Sequence, residues 1–162
     1  RVASYKSARY SIQKPLQIGA ALAGADDAQL DALGRFGHDI GMAFQLRDDV
    51  LGVFGDSAVT GKPSGDDLRE GKRTVLVAYA RQALPDDARA DLDAMLGDRT
   101  LNATRIRDLQ ETIVATGALA RTEELIAEYE RRAEQALDGA RLGAGAVEEL
   151  RTLARAATQR TS

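Results

Sequence analysis

The stretch AQLDALGRFGHDIGMAFQLRDDVLGVF, residues 28–54, carries the most regular apolar pattern of the chain. Its large apolar side chains recur at spacings of three, four and seven residues, at Leu30, Leu33, Phe36, Ile40, Phe44 and Leu51. This period places them on one face of an α-helix. The pattern therefore predicts one long helix from Ala28 to about Phe54, and the Gly55-Asp56 pair that follows is typical of a helix end.

The rest of the chain carries shorter helical patterns, separated by glycine and proline. We predict further helices, or parts of helices, at about residues 1–11, 15–23, 72–84, 86–97, 102–116, 118–142 and 145–159. Alanine, the strongest helix former, is abundant, and aromatic residues make up only 4% of the chain. The run from Val75 to Tyr79 resembles a strand, but no other run offers it a sheet partner. The sequence therefore predicts an all-α helical bundle in a single domain, residues 1–162.

Composition excludes several classes of site and partner. The formal net charge of -3 argues against a general nucleic-acid binder, because such proteins usually carry a basic excess. With no cysteine and a single histidine, His38, a disulfide framework, a thiolate metal site and a multi-histidine zinc site are excluded. No apolar run of about 18 residues is present, so no membrane span is predicted.

A polar face interrupts the apolar pattern near the end of the long predicted helix. Gln45, Asp48, Asp49 and Gly52 stand at positions i, i+3, i+4 and i+7, and such positions share one helix face. Oxygen ligands without histidine or cysteine point to Mg²⁺, which keeps several waters and takes further ligands from phosphates. Gly52 leaves room for metal-bound water or substrate to approach. The alternative is a solvated aspartate pair near a helix end.

Residues 57–71 form a polar segment rich in glycine, lysine and aspartate. Lys62 and Lys72 follow Asp48 by fourteen and twenty-four residues, and both stand next to glycine. Lysine suits phosphate oxygens, and glycine lets backbone N–H groups approach an anion. The spacing of a P-loop is absent. Taken alone, this segment is better explained as a charged surface loop. Its position after the aspartate pair makes that explanation harder to accept.

These motifs, in this order, resemble a known family. F-Q-x-x-D-D, then G-D, T-G-K-P and D-D-L-x-E-G-K-R-T, is similar to the second aspartate-rich region of trans-isoprenyl diphosphate synthases, which make farnesyl, geranylgeranyl and longer polyprenyl diphosphates. The segment from Lys6 to Tyr10 resembles the Lys-Thr signature of that family, and Pro15 to Ala20 resembles the family segment after that signature. The resemblance covers about residues 5–80 and implies an isoprenoid-synthase helical bundle.

The resemblance also implies roles for individual residues. Asp48 holds a Mg²⁺ that bridges the allylic diphosphate, and Asp49 supports this ion through water. Ser7 replaces the usual threonine and faces the developing carbocation. The diphosphate oxygens are bound by three lysines, Lys6, Lys62 and Lys72. Gln45 lies beside the allylic substrate, and Phe44 lines the prenyl pocket.

The implied reaction is the Mg²⁺-assisted ionisation of an allylic prenyl diphosphate, followed by condensation with isopentenyl diphosphate. The family is usually dimeric, and we expect a cytoplasmic homodimer. Arg47 either offsets the charge of the aspartate pair or contacts diphosphate. Two alternatives remain: a non-catalytic regulatory subunit with the same fold, and a generic helical interaction module.

Two departures from the family pattern shape these expectations. The second motif of the family usually reads D-D-x-x-D, but its last position here is Gly52, so we expect weaker, water-mediated metal support. In the family, the first aspartate-rich motif and the residues that hold isopentenyl diphosphate precede the Lys-Thr signature. We therefore expect this chain to be the C-terminal half of a synthase and to be inactive by itself.

Overall fold

The computed structural model describes residues 4–61 and 63–159, and it is helical throughout. A π-helix, Ser4–Gln13, runs directly into α1, Lys14–Leu22. The remaining helices are α2 (Asp27–Phe54), α3 (Ser57–Thr60), α4 (Asp66–Arg69), α5 (Val75–Ala83), α6 (Asp86–Met95), α7 (Ala103–Ala115), α8 (Ala118–Leu137) and α9 (Ala144–Thr158). No strand occurs within these two ranges, so the all-α prediction is confirmed.

Side-chain caps explain where several helices begin. The Thr74 hydroxyl accepts a hydrogen bond from the Val77 backbone N–H at 3.3 Å and thereby starts α5. Asn102 does the same for α7, accepting from the Arg105 N–H at 3.0 Å. Such caps satisfy backbone donors that have no partner inside the helix. Because α5 begins at Val75, the strand-like run is helical, as the missing sheet partner indicated.

The end of α8 and the polar segment after α2 differ from the sequence prediction. Helix α8 ends at Leu137 instead of residue 142, and Gly139 beyond it adopts a left-handed φ of 75°. Residues 57–71 were predicted to be a loop, but they contain the one-turn helices α3 and α4. The four-residue length of each is too short for a helical period to show in the sequence.

The chain divides into two compact units. Among the described residues, the first unit holds 4–45 and 125–159, and the second holds 46–61 and 63–124. No described helix combines the length and the hydropathy that a membrane crossing requires.

The first unit is built around the N-terminal part of α2. One cluster of buried apolar residues in this unit joins α2, α8 and α9, and its members are Leu33, Phe36, Ile40, Ala133, Ala136, Leu137 and Ala154. The π-helix reaches this part of α2 at Gly41, where a Cβ atom would lie 2.7 Å from the Cβ of Ala8. Only glycine at position 41 allows this approach without a shift of the neighbouring backbone.

The second unit has its own core, formed by residues of α2, α4, α5, α6, α7 and α8. These residues are Val53, Leu68, Leu76, Val77, Ala80, Leu92, Ile106, Leu109, Ile113 and Ala118. Leu68 belongs to α4, so the segment that follows α2 is anchored in the core and is not a solvated surface loop. This anchoring fixes the residues on either side of Leu68.

Candidate functional site

Helix α2 carries the predicted acidic face without interruption, since it is regular from Asp27 to Phe54. Asp48 and Asp49 are both partly buried and belong to the second unit. Phe44 and Gln45 are partly buried too, in the part of α2 that belongs to the first unit. Helical geometry keeps the spacing that the sequence predicted for this face.

The space beside Gly52 is filled by a residue that sequence reasoning missed. A Cβ atom at Gly52 would come within 3.0 Å of the carboxyl carbon and both carboxylate oxygens of Asp67. The expectation that metal-bound water or substrate approaches at Gly52 is therefore wrong for this structure. Asp67 stands fifteen residues after Gly52, and no helical period connects the two positions. The only sequence signal was its place in the D-D-L motif.

Asp67 is buried, and its charge is matched by Lys72. The Lys72 Nζ lies 2.5 Å from Asp67 Oδ1 and 3.0 Å from Glu70 Oε2. The Lys72 backbone N–H also donates to the Asp67 carbonyl at 3.0 Å. The hydrogen bond that the Lys72 ammonium donates to Asp67 is the main reason that the pKa of Lys72 is raised above its usual range, with Glu70 adding to the effect. Lys72 is therefore a fixed, fully protonated cation whose side chain remains 43% exposed.

Polar contacts hold the segment around Asp67 in place. Gln110 on α7 donates from Nε2 to the Val53 carbonyl at 2.5 Å and to the Ser64 hydroxyl at 3.0 Å. Arg69 donates to the Leu101 and Ser64 carbonyls, each at 3.1 Å. The Val53 carbonyl lies in the last turn of α2, where no backbone N–H of the same helix can reach it, and the Ser64 and Leu101 carbonyls lie outside helices. The side chains of Gln110 and Arg69 therefore supply hydrogen-bond donors to all three carbonyls.

Arg47, next to the aspartate pair, forms a bidentate ion pair with Glu123 on α8. The two N–O distances are 2.6 and 2.7 Å, and the Arg47 side chain is mostly buried. In a bidentate arginine–carboxylate pair, two parallel hydrogen bonds fix the geometry, and each is stronger than a hydrogen bond between neutral groups. Glu123 is seventy-six residues away in sequence, so no local pattern could have identified this partner.

Three predicted site residues lie outside what the structure describes. Lys62 is not among the described residues. Lys6 and Ser7 belong to the π-helix by their backbone, and their side chains are outside the described part of the chain. The structure therefore brings Lys72 to the last turns of α2 through Asp67, and it leaves the roles of Lys6, Ser7 and Lys62 as predictions.

The donor set of α2 fits Mg²⁺ only in company with further oxygen ligands. Within residues 4–61 and 63–159, no group of three or more His, Cys, Asp or Glu side chains is arranged to hold a metal ion. Mg²⁺, however, is commonly bound by one or two carboxylates together with waters and substrate phosphates. Asp48 and Asp49 supply such carboxylates, and Lys72 supplies a cation for phosphate oxygens.

Comparison with known proteins identifies the family to which the chain is related. The family model for polyprenyl synthetase matches residues 1–113. The chain belongs to the polyprenyl synthetase family. The matched range ends inside α7, so it includes the π-helix, α2 and the whole segment that carries Asp67 and Lys72.

Individual relatives and solved structures support the same membership. One similar solved structure is that of a geranylgeranyl pyrophosphate synthase from Corynebacterium glutamicum, complexed with isoprenyl diphosphate and magnesium. Its sequence is 44% identical to this chain. It superposes with a TM-score of 0.93 over 99% of this chain and 45% of its own. The geranylfarnesyl diphosphate synthase of Aeropyrum pernix is 38% identical over 78% of this chain and 38% of its own length. The geranylgeranyl diphosphate synthase of Mycobacterium tuberculosis is 54% identical over 63 residues, which is 39% of this chain and 18% of that protein. The chain therefore spans less than half the length of each of these relatives.

Proposed function

We propose that the protein containing this chain is a prenyltransferase that condenses an allylic prenyl diphosphate with isopentenyl diphosphate to make a longer polyprenyl diphosphate. The observation that carries the proposal is the placement of the Lys72 cation, through Asp67, beside the helix turn that follows Asp48 and Asp49. Membership in the polyprenyl synthetase family supports it. So does the Corynebacterium glutamicum synthase, whose structure holds isoprenyl diphosphate and magnesium.

In this proposal, the allylic carbon–oxygen bond breaks and its electron pair leaves with the diphosphate. Asp48 would hold Mg²⁺, with Asp49 supporting it through water, and Mg²⁺ supplies Lewis-acid stabilisation of the leaving group when it is bound. Lys72, with Lys6 and Lys62, would bind the diphosphate oxygens as their charge grows. The allylic cation then forms a carbon–carbon bond with isopentenyl diphosphate, and a proton is lost.

The remaining roles concern the hydrocarbon chain and the carbocation. We propose that Phe44 lines the prenyl pocket and that Gln45 lies beside the allylic substrate. Ser7 would direct its hydroxyl and carbonyl oxygens at the developing cation. Fixed dipoles of this kind stabilise charge in the transition state without having to reorganise. Because the carbon–oxygen bond ionises once the leaving diphosphate is stabilised, the proposed reaction uses neither a nucleophilic serine nor a general-base histidine.

Several finer predictions accompany the proposal. We expect a farnesyl- or geranylgeranyl-type enzyme, a cytoplasmic homodimer, and a chain that forms part of a larger helical synthase domain. We also expect the 162-residue chain by itself to be inactive. Prenyl transfer by a verified 17.3 kDa chain would contradict that expectation.

The test is the Mg²⁺-dependent binding of geranyl diphosphate by the complete protein, measured by titration calorimetry. Asp48→Ala should weaken the Mg²⁺-dependent part of the affinity by about tenfold or more, because a ligand to the metal is lost. Asp91→Ala is the matched control, since it removes an exposed carboxylate on α6. Equal affinities for the wild type and Asp48→Ala would refute the assignment of Asp48 as a ligand to Mg²⁺. Normal binding without turnover would favour the regulatory subunit instead.

A further inference from the structure

The carboxylate of Asp67 is buried and lies between Gly52 of α2 and the ammonium of Lys72. Its side chain is only 9% exposed, and carboxylates are rarely buried unless a cation or hydrogen-bond donors compensate them. The compensation comes from Lys72, whose Nζ lies 2.5 Å away. The same carboxylate occupies the side-chain space of Gly52, one helical turn beyond Asp48. It therefore joins the last turn of α2 to the lysine.

Lysine by itself is a poor choice for a fixed charge. Its ammonium sits on a flexible four-carbon stem, so it adopts many positions unless a partner holds it. The ammonium has three donors, and the contacts with Asp67 and Glu70 occupy two of them. The remaining donor and the exposed part of the side chain leave Lys72 able to meet an anion. Glu70 is 46% exposed, so the buried Asp67 is the partner with the fixed position.

We propose that Asp67 is a positioning residue that holds the Lys72 ammonium at the acidic face of α2, and that Gly52 provides the space for its carboxylate. This inference rests on the proposed function, because it assigns a role to Asp67 in the same diphosphate site. Asp67 acts through Lys72 and does not itself touch the substrate. Its contribution is preorganisation: the cation is in place before charge develops on the leaving diphosphate.

A positioning role and a simple charge effect predict different kinetics. Removing a negative charge next to Lys72 makes the site more attractive to an anion, so a charge effect alone would lower KM for the allylic diphosphate and leave kcat unchanged. Loss of position instead lowers kcat, since the cation no longer meets the diphosphate where its charge grows. A purely structural role would lower activity only in proportion to the folded fraction.

The first experiment measures steady-state prenyl transfer by the complete protein for Asp67→Ala and Asp67→Asn, with thermal unfolding measured in parallel. Both variants should lower kcat by about tenfold or more, with KM unchanged or lower. Asp66→Asn, in the same short helix, is the matched control and should leave both parameters near the wild-type values. An unchanged kcat in Asp67→Ala would overturn the inference. So would a loss of activity that matches the loss of folded protein.

The second experiment needs neither metal nor substrate. The rate at which an amine-reactive reagent labels Lys72 in the metal-free protein reports directly on its contact with Asp67. Asp67→Ala should speed this labelling by about tenfold or more, since each pKa unit is a factor of ten in the neutral amine. The exposed Lys14 serves as the internal reference. Labelling of Lys72 that is unchanged relative to Lys14 would overturn the proposed contact.

Gly52→Ala provides a route that leaves Asp67 in the sequence. The added Cβ atom must displace the Asp67 carboxylate, so labelling of Lys72 should rise and kcat should fall, both by less than in Asp67→Ala. Wild-type kinetics and labelling in Gly52→Ala would contradict the role assigned to Gly52. Absence of prenyl transfer in the wild-type protein would instead refute the proposed function, and the metal-free labelling would still test the contact.

Discussion

Replacing Leu68 with alanine tests whether the segment between α2 and α5 is anchored in the core of the second unit. Leu68 is fully buried, and its carbonyl accepts hydrogen bonds from the Gly71 N–H at 3.2 Å and the Gly97 N–H at 2.9 Å. These backbone bonds survive the substitution. The change in free energy of unfolding therefore reports on the apolar packing of the side chain.

The expected magnitude depends on the atoms that are removed. Leucine to alanine deletes three carbon groups at about 0.8 kcal/mol each, or about 2.4 kcal/mol of transfer free energy. The rigid surroundings leave a cavity that adds to this loss, and buried leucines typically lose about 2.7 to 5.0 kcal/mol. Leu68→Ala should therefore lower the free energy of unfolding by about 3 kcal/mol.

The assay is urea unfolding of the complete protein, with the transition followed by circular dichroism. Leu153→Ala on α9 is the matched control: its side chain is 63% exposed, so its loss should stay within about 0.5 kcal/mol. If Leu68→Ala unfolds at the same urea concentration as Leu153→Ala, the segment is not held by the core. The arrangement of Asp67 and Lys72 would then lack its support.

Two further predictions concern ion pairs of the second unit. Glu123→Gln should lower the free energy of unfolding by about 1 kcal/mol, a modest loss because the carboxylate that pairs with Arg47 is 41% exposed. The control is Glu124→Gln, which removes an exposed neighbouring carboxylate, and equal losses in the two variants would contradict the prediction. The hydrogen bond from Arg81 lowers the pKa of Asp93 below its ordinary value of 3.8, so the resulting stability is complete above that value and is lost as the pH falls through the lowered pKa. Asp93→Asn should therefore flatten the dependence of the melting temperature on pH below about pH 4, and an unchanged acid slope would refute this.

Features that depend on local periodicity were predictable from the sequence. The apolar spacing from Leu30 to Leu51 predicted α2 and, with it, the common face of Asp48 and Asp49. The motif order from Gln45 to Lys72 led to the family that the comparison confirmed. In each case the information lies within one helix or one ordered series of motifs, which a single sequence displays directly.

Features that depend on contacts between distant segments were not predictable. Gly52 was interpreted as a missing ligand, because nothing in its neighbourhood shows that Asp67 fills its space. The Arg47–Glu123 pair joins α2 to α8 and depends on how the two helices pack. The early end of α8 is a different case, because Gly139, two residues after Leu137, is a local helix-ending signal in the left-handed conformation that the prediction to residue 142 passed over.

The close approach of Ala8 to Gly41 has a consequence for how the neighbouring residues respond to the solvent. Ala8 directly follows the Lys6-Ser7 pair, and Gly41 precedes Gln45 by one helical turn. The position along α2 at which the π-helix packs is therefore set by steric exclusion between two small residues, Ala8 and Gly41. Ionic strength screens the attraction between charges, as at Lys72 and Glu70, but it does not change the size of an atom. Salt should thus weaken the charged part of the site and leave this register intact.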